Sequence, residues 1–137
     1  MTVWEGISGF CNAVGGNPEQ SRGRATMAMH MGGAAARQLL DRAYFLDLLG
    51  DSHNGLGRHT AAIEAYRQAA QGFEEQGAQC SYALCLFKIA DSYLSLREPW
   101  HATRYLELCL PLLRELGLTR YEALAEAQLS GMLAQPR

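Results

Sequence analysis

A repeat of forty residues constrains this chain more than any other feature of its sequence. Residues 50 to 89, moved forty places, fall on 90 to 129 with Asp51 on Asp91, Ser52 on Ser92, Leu56 on Leu96 and Ala62 on Ala102. Glu75 then meets Glu115, Gly77 meets Gly117, Ala83 meets Ala123 and Leu84 meets Leu124, while Leu49, Ile89 and Leu129 share one apolar position. A unit that recurs at a fixed period cannot bury its apolar face alone and does so by stacking on its neighbours. Two full units and the start of a third fit the chain.

Within a unit the apolar spacing is helical. Residues 59 to 76 place Ala62, Ile63, Tyr66, Ala69, Ala70 and Phe73 at steps of three and four, with Glu64, Arg67, Gln68, Gln71, Glu74 and Glu75 turned outward. Gly77 and Gly117 stand where a helix takes a left-handed C-terminal residue, and Gly55 and Gly57 stop a helix one unit before Pro99 does. Pro99 suits the first turn of a helix, where its missing N–H costs nothing, and it stops the helix before it. Pro111 falls inside a helix and is expected to kink it or remove a backbone bond. The pattern predicts helices over about 35–55, 59–76, 79–96, 99–116 and 119–134, joined by short connections that make neighbours antiparallel.

The N-terminal part follows the period poorly. Trp4, Ile7, Cys11 and Val14 share a helical face, Gly15, Gly16, Asn17 and Pro18 break it, and a second segment runs to about His30 before Gly32 and Gly33. Residues 1–34 are therefore expected to form an irregular helical cap, with Met27, Met29 and Met31 as filler beneath it. The whole chain is expected to be one all-α domain: this cap, one repeat over 35–76, a second over 79–116 and a C-terminal capping helix over 119–134.

Composition narrows the function classes. Lys and Arg number 12 against 14 acidic residues, so no global positive field draws a phosphate backbone and direct nucleic-acid binding is not expected. The four cysteines, Cys11, Cys80, Cys85 and Cys109, sit in apolar helical patterns without a CxxC pair, which predicts reduced thiols and a cytoplasmic setting. No export signal or membrane span is expected, since no apolar run approaches about 18 residues. The four histidines show no pair at metal-ligand spacing, and no metal or other cofactor is expected.

The units resemble the tetratricopeptide repeat. Leu49, Gly50, Ala62, Tyr66 and Ala69 fall at its large, small, small, aromatic and small positions, with His53 where an aromatic would stand; Ile89, Ala90, Tyr93, Ala102 and Leu106 repeat the set, Cys109 replaces its last alanine, and Leu129 and Ser130 open a third. Small residues let the helices of a hairpin approach, and the aromatics fill the next gap. The period exceeds the family's usual thirty-four. The long repeats, with endings "FEEQG" and "LRELG", are similar to those of the C-terminal arrays of bacterial antibiotic-pathway and nucleotide-switch transcription regulators. The resemblance covers about residues 38 to 134. It implies a right-handed α-solenoid of antiparallel hairpins, about six to seven helices in all.

It also implies a function. In that family the first helix of each unit lines a concave groove, which here places Tyr44, Asp47, Leu48, Asp51 and Asn54, then Phe87, Lys88, Asp91 and Ser95, then Ala127 and Gln128, against a peptide or partner helix. Asp47, Asp51 and Asp91 make a carboxylate clamp a poor expectation and favour a basic or amphipathic segment. A non-catalytic scaffold or sensor arm of a bacterial regulatory protein is the expected role, with a homodimer through the terminal helices as an alternative. The stretch "GDSHNG" raises a third reading, a small serine hydrolase built on Ser52 with His53 or His59. Against it, Asp51-Ser52 recurs as Asp91-Ser92, and a nucleophile has no reason to return at the repeat period.

Overall fold

The computed structural model describes residues 33 to 134, with side chains described as far as residue 132. Those residues form five helices and no strand: α1 (Gly33–Gly55), α2 (His59–Glu75), α3 (Gln79–Ser95), α4 (Pro99–Glu115) and α5 (Thr119–Ala134). Every end lies within two residues of its expected place. The expected cap lies outside the described residues except for Gly33 and Ala34, which instead open α1; the further one or two of the expected six to seven helices also lie outside them. No described helix is long and apolar enough to cross a membrane.

The four turns between helices are copies of one another at twenty-residue spacing. The backbone N–H of Arg58, Ala78, Glu98 and Leu118 donates to the carbonyl five residues back, on His53, Phe73, Tyr93 and Leu113, at 2.8, 2.8, 2.9 and 3.0 Å. The preceding residue in each turn donates three residues back, and it carries a positive φ: 79° at Gly57, 73° at Gly77, 59° at Arg97 and 71° at Gly117. This paired hydrogen-bond pattern closes a helix and reverses the chain. Arg97 is the one side chain held in the left-handed region among the described residues, where a Cβ crowds the carbonyl that follows. Arg97→Gly is expected to raise the unfolding free energy by up to about 1 kcal/mol and Gly117→Ala to lower it by about 1 kcal/mol, both read from urea unfolding. Equal shifts of one sign in the two variants would contradict this account of the turn.

Each helix packs chiefly on its neighbours in sequence. The main core gathers Ala43, Ala69, Phe73, Ala83, Leu84, Cys85, Leu106, Cys109, Leu113 and Ala125, and a smaller cluster joins Ala62, Ile63, Tyr66 and Ile89 at the other end. Close approach is built in at Gly50, where an added Cβ would stand 2.6 Å from the Tyr66 ring, and at Gly72, where it would meet the Ala43 Cβ at 3.0 Å. Pro111 lies within α4, which runs on through it. Both Pro111 and Glu107, whose carbonyl loses its helical donor, are exposed residues.

Two expectations fail. Leu49 is 36% exposed although its equivalent Ile89 is 1% exposed, and Phe45 stands 63% exposed where Cys85 and Ala125 are buried. In α3, Ile89 packs with Ala62, Ile63 and Tyr66 of α2; no described helix precedes α1. Cys85 and Cys109 are free and buried as expected, but Cys80 is disulfide-bonded. Cys11 lies outside the described residues.

Candidate functional site

Alternate helices α1, α3 and α5 meet side by side through polar side chains placed about one repeat apart. Lys88 of α3 reaches two carboxylates of α1: its Nζ lies 3.1 Å and 3.4 Å from the Asp47 oxygens and 3.1 Å and 3.3 Å from those of Asp51. Toward the C-terminal end of the same pair of helices, Ser92 Oγ donates to Asn54 Oδ1 at 3.1 Å, and His59 Nδ1 lies 2.5 Å from that oxygen. Between α3 and α5, Gln128 Nε2 donates to Asp91 Oδ1 at 3.5 Å. Asp91 and Gln128 stand forty residues beyond Asp51 and Lys88, so the repeat reproduces the lateral contact as well as the helices.

Two aromatic pairs join these helices to each other and to α2. Tyr44 meets Phe73 edge-on at 5.0 Å and Phe87 meets Tyr121 edge-on at 5.6 Å. Leu48, Asp51, Ser95 and Ala127 are exposed, while Tyr44, Asn54, Phe87, Lys88, Asp91 and Gln128 are half-buried. Asp47 is the exception among the eleven expected groove residues: it is 0% exposed and presents nothing to a partner. Lys88 of α3 lies against it.

The electrostatics follow from that burial. Desolvation raises the Asp47 carboxyl to about 6, against the lowering pull of Lys88, and the nearby Asp51 charge adds to the rise. The buried Cys85 thiol donates to Asp47 Oδ1 at 3.7 Å and is pushed up by burial first and by Asp47 second. Tyr66 donates its hydroxyl to Asp51 Oδ1 at 2.5 Å, and burial together with that bond holds its phenol protonated well above its usual range. Lys88 also lies 5.5 Å from the centre of the Tyr66 ring, a cation–π distance. Lys88, Tyr66, Asp47 and Asp51 thus form one network that ties α1, α2 and α3 together. Sequence reasoning placed Lys88 in the groove but missed its two partners, and it gave Cys85 and Tyr66 only packing roles.

Gln128 is the weak copy of Lys88. Its Oε1 is buried without a hydrogen-bond partner, the one such side-chain atom among the described residues. An ammonium in its place would bring three donors and no orphaned acceptor. Gln128→Lys is therefore expected to raise the unfolding free energy by about 0.5–1 kcal/mol, with the gain shrinking in 1 M salt; a loss of stability would show that Asp91 is not the pairing partner.

Ser52 is an exposed helix residue whose Oγ donates to the Leu48 carbonyl at 3.1 Å, and His59 is held against Asn54. No three His, Cys, Asp or Glu side chains among the described residues gather where they could hold a metal ion. Comparisons with protein-family models, with curated proteins and with solved structures found no match to this chain.

Proposed function

We propose that this chain is a non-catalytic interaction module of tetratricopeptide type, a right-handed stack of helical hairpins whose α1–α3–α5 face receives a peptide or a partner helix. The observation that carries this reading is the lateral contact between alternate helices. Asp51 with Lys88 and Asp91 with Gln128 repeat at one period, which keeps three first helices side by side and builds a continuous surface from equivalent positions. That surface mixes apolar points at Leu48, Phe87 and Ala127 with hydrogen-bonding groups at Asp51, Asp91 and Ser95. Anchors of this kind, ringed by polar groups, suit an amphipathic segment.

The burial of Asp47 sharpens the partner chemistry. With Asp47 closed in and Lys88 set between two carboxylates, the acidic character open to a ligand rests on Asp51 and Asp91, so a basic or amphipathic segment has two charged points to meet. A scaffold or the sensor arm of a bacterial regulatory protein is the role this suits. An array of basic and amphipathic peptides probed with the intact chain tests it. Capture is expected, and Asp51→Lys with Asp91→Lys is expected to weaken it by about tenfold or more. An array that captures nothing, or capture indifferent to both reversals, overturns the proposal.

The exposed apolar side chains of Phe45 and Leu49 on α1 and of Leu56 in the turn after it favour a second reading, self-association through the terminal helices. Light scattering over a range of concentrations separates the two, since a peptide-binding monomer keeps one mass and a dimer does not.

A further inference from the structure

Away from the α1–α3–α5 face, α2, α4 and the end of α3 surround an open cavity of about 270 Å3, lined by Arg67, Tyr93, His101, Arg104, Tyr105 and Leu108. We propose that this cavity binds a small organic oxyanion, a phosphate monoester or carboxylate carried on a flat ring.

The donors are arranged for an anion. Arg67 Nη2 donates to the Tyr93 hydroxyl oxygen at 3.2 Å and to the Tyr105 hydroxyl oxygen at 3.5 Å. Each phenol oxygen accepts from the guanidinium, which leaves its own O–H hydrogen without an acceptor among the described residues. Arg104, on the opposite wall, makes no ion pair or hydrogen bond among them. Two guanidinium groups and two unspent phenol donors therefore line one small space, and guanidinium bonds to phosphate or carboxylate are among the stronger hydrogen bonds available to a protein. The carboxylates paired with lining residues are Glu64, 4.0 Å from Arg67, and Glu98, 3.8 Å from His101; both pairs are about half exposed, contribute little, and neither acid lines the cavity.

The walls define the rest of the ligand. Tyr93 stacks on His101 at 5.0 Å and 26° and on Tyr105 at 5.7 Å and 24°, which fixes the two phenols side by side. Leu108 adds an exposed apolar wall. A bare inorganic anion leaves that wall uncovered, and the volume sits just below the range of about 300–1,000 Å3 usual for small-molecule sites. A ring bearing one oxyanion fills both parts.

Phenyl phosphate and benzoate supply the two oxyanion sources, and inorganic phosphate supplies the charge without the ring. Each is titrated into the intact chain while the Tyr93, His101 and Tyr105 side-chain resonances are followed by NMR. Saturable shifts with phenyl phosphate or benzoate are expected, with affinity about tenfold above that of inorganic phosphate. Arg104→Ala is expected to weaken binding by about tenfold and, lacking partners to lose, to leave the thermal transition in place. Arg67→Gln is expected to weaken it at least as much. Absence of saturation up to about 10 mM, affinity equal to that of inorganic phosphate, or binding unchanged in the Arg104→Ala variant overturns the proposal.

Discussion

Replacing Lys88 by methionine is expected to lower the unfolding free energy by about 3 kcal/mol at pH 7.5, the largest effect of any single change in the network. The substitution keeps the length of the side chain and removes the charge that compensates Asp47. Removing one partner of a buried ion pair costs about 3–5 kcal/mol because the other charge is left without compensation; the low end applies here because Lys88 keeps 24% of its side chain in solvent. Asp51 is not stranded in the same way, since it is 43% exposed and retains the Tyr66 hydroxyl.

The pH dependence gives this prediction a second signature. The Asp47 carboxyl is raised in the folded chain to about 6 from an ordinary 3.8, so between those values the folded state holds a proton that the unfolded state has released. The stability contributed by that proton is fully present below about pH 4 and is lost as pH rises through about 6, an amount of roughly 1–3 kcal/mol. Without Lys88 the folded value climbs further, and the loss extends to higher pH. Urea unfolding is therefore expected to show the Lys88→Met deficit shrinking between pH 7.5 and pH 5. Adding Asp47→Leu to Lys88→Met is expected to restore much of the lost stability, because no unpaired charge then remains buried. A deficit independent of pH would mean that packing, and not the charge on Asp47, sets the cost.

Gly50→Ala is expected to destabilise by about 1–3 kcal/mol, opposite in sign to what helix propensity alone predicts. In an open helix position alanine gains about 1 kcal/mol over glycine. At Gly50 the new methyl would stand 2.6 Å from two carbons of the Tyr66 ring and 3.0 Å from a third. Tyr66 is 1% exposed and held by its hydroxyl to Asp51, so the ring cannot retreat without loosening the network. The next unit shows the compensated form: Ala90 and Leu106 occupy the places of Gly50 and Tyr66, and both are buried. The double change Gly50→Ala with Tyr66→Leu is expected to recover part of the loss. Gly131→Ala, where nothing lies within 4 Å, serves as the control and is expected to gain stability. A gain at both glycines would remove the close approach of α1 and α2 from the account.

Local pattern carried much of this fold. Apolar steps of three and four, with Gly57, Gly77, Gly117 and Pro99, located all five described helices, because helix ends depend on residues within one turn. Gly50 and Tyr66 were legible as separate small and aromatic positions of the repeat, whereas their contact appears only where α1 packs on α2. Arg97 was not, because nothing in its side chain announces a left-handed backbone; its place twenty residues after Gly77 was the available signal. The groove was legible as a set of positions and illegible in its charges. Asp47 and Lys88 lie 41 residues apart, and only the lateral packing of α1 on α3 turns two surface-type residues into a buried pair. The signal that could have found it was a lysine at position 88, where the other units carry Leu48 and Gln128, opposite the recurring Asp51 and Asp91.

The most direct test of the proposed function is to locate the binding surface rather than to detect binding. Hydrogen exchange of the intact chain with and without a captured basic or amphipathic peptide reports which amides gain protection. Slowed exchange is predicted in α1 around Leu48 and Asp51, in α3 around Phe87 and Asp91 and in α5 around Ala127, with α2 and α4 unchanged. Protection confined to α2 and α4, or no change on the alternate helices in the presence of saturating peptide, would contradict the reading of this face as the site of recognition.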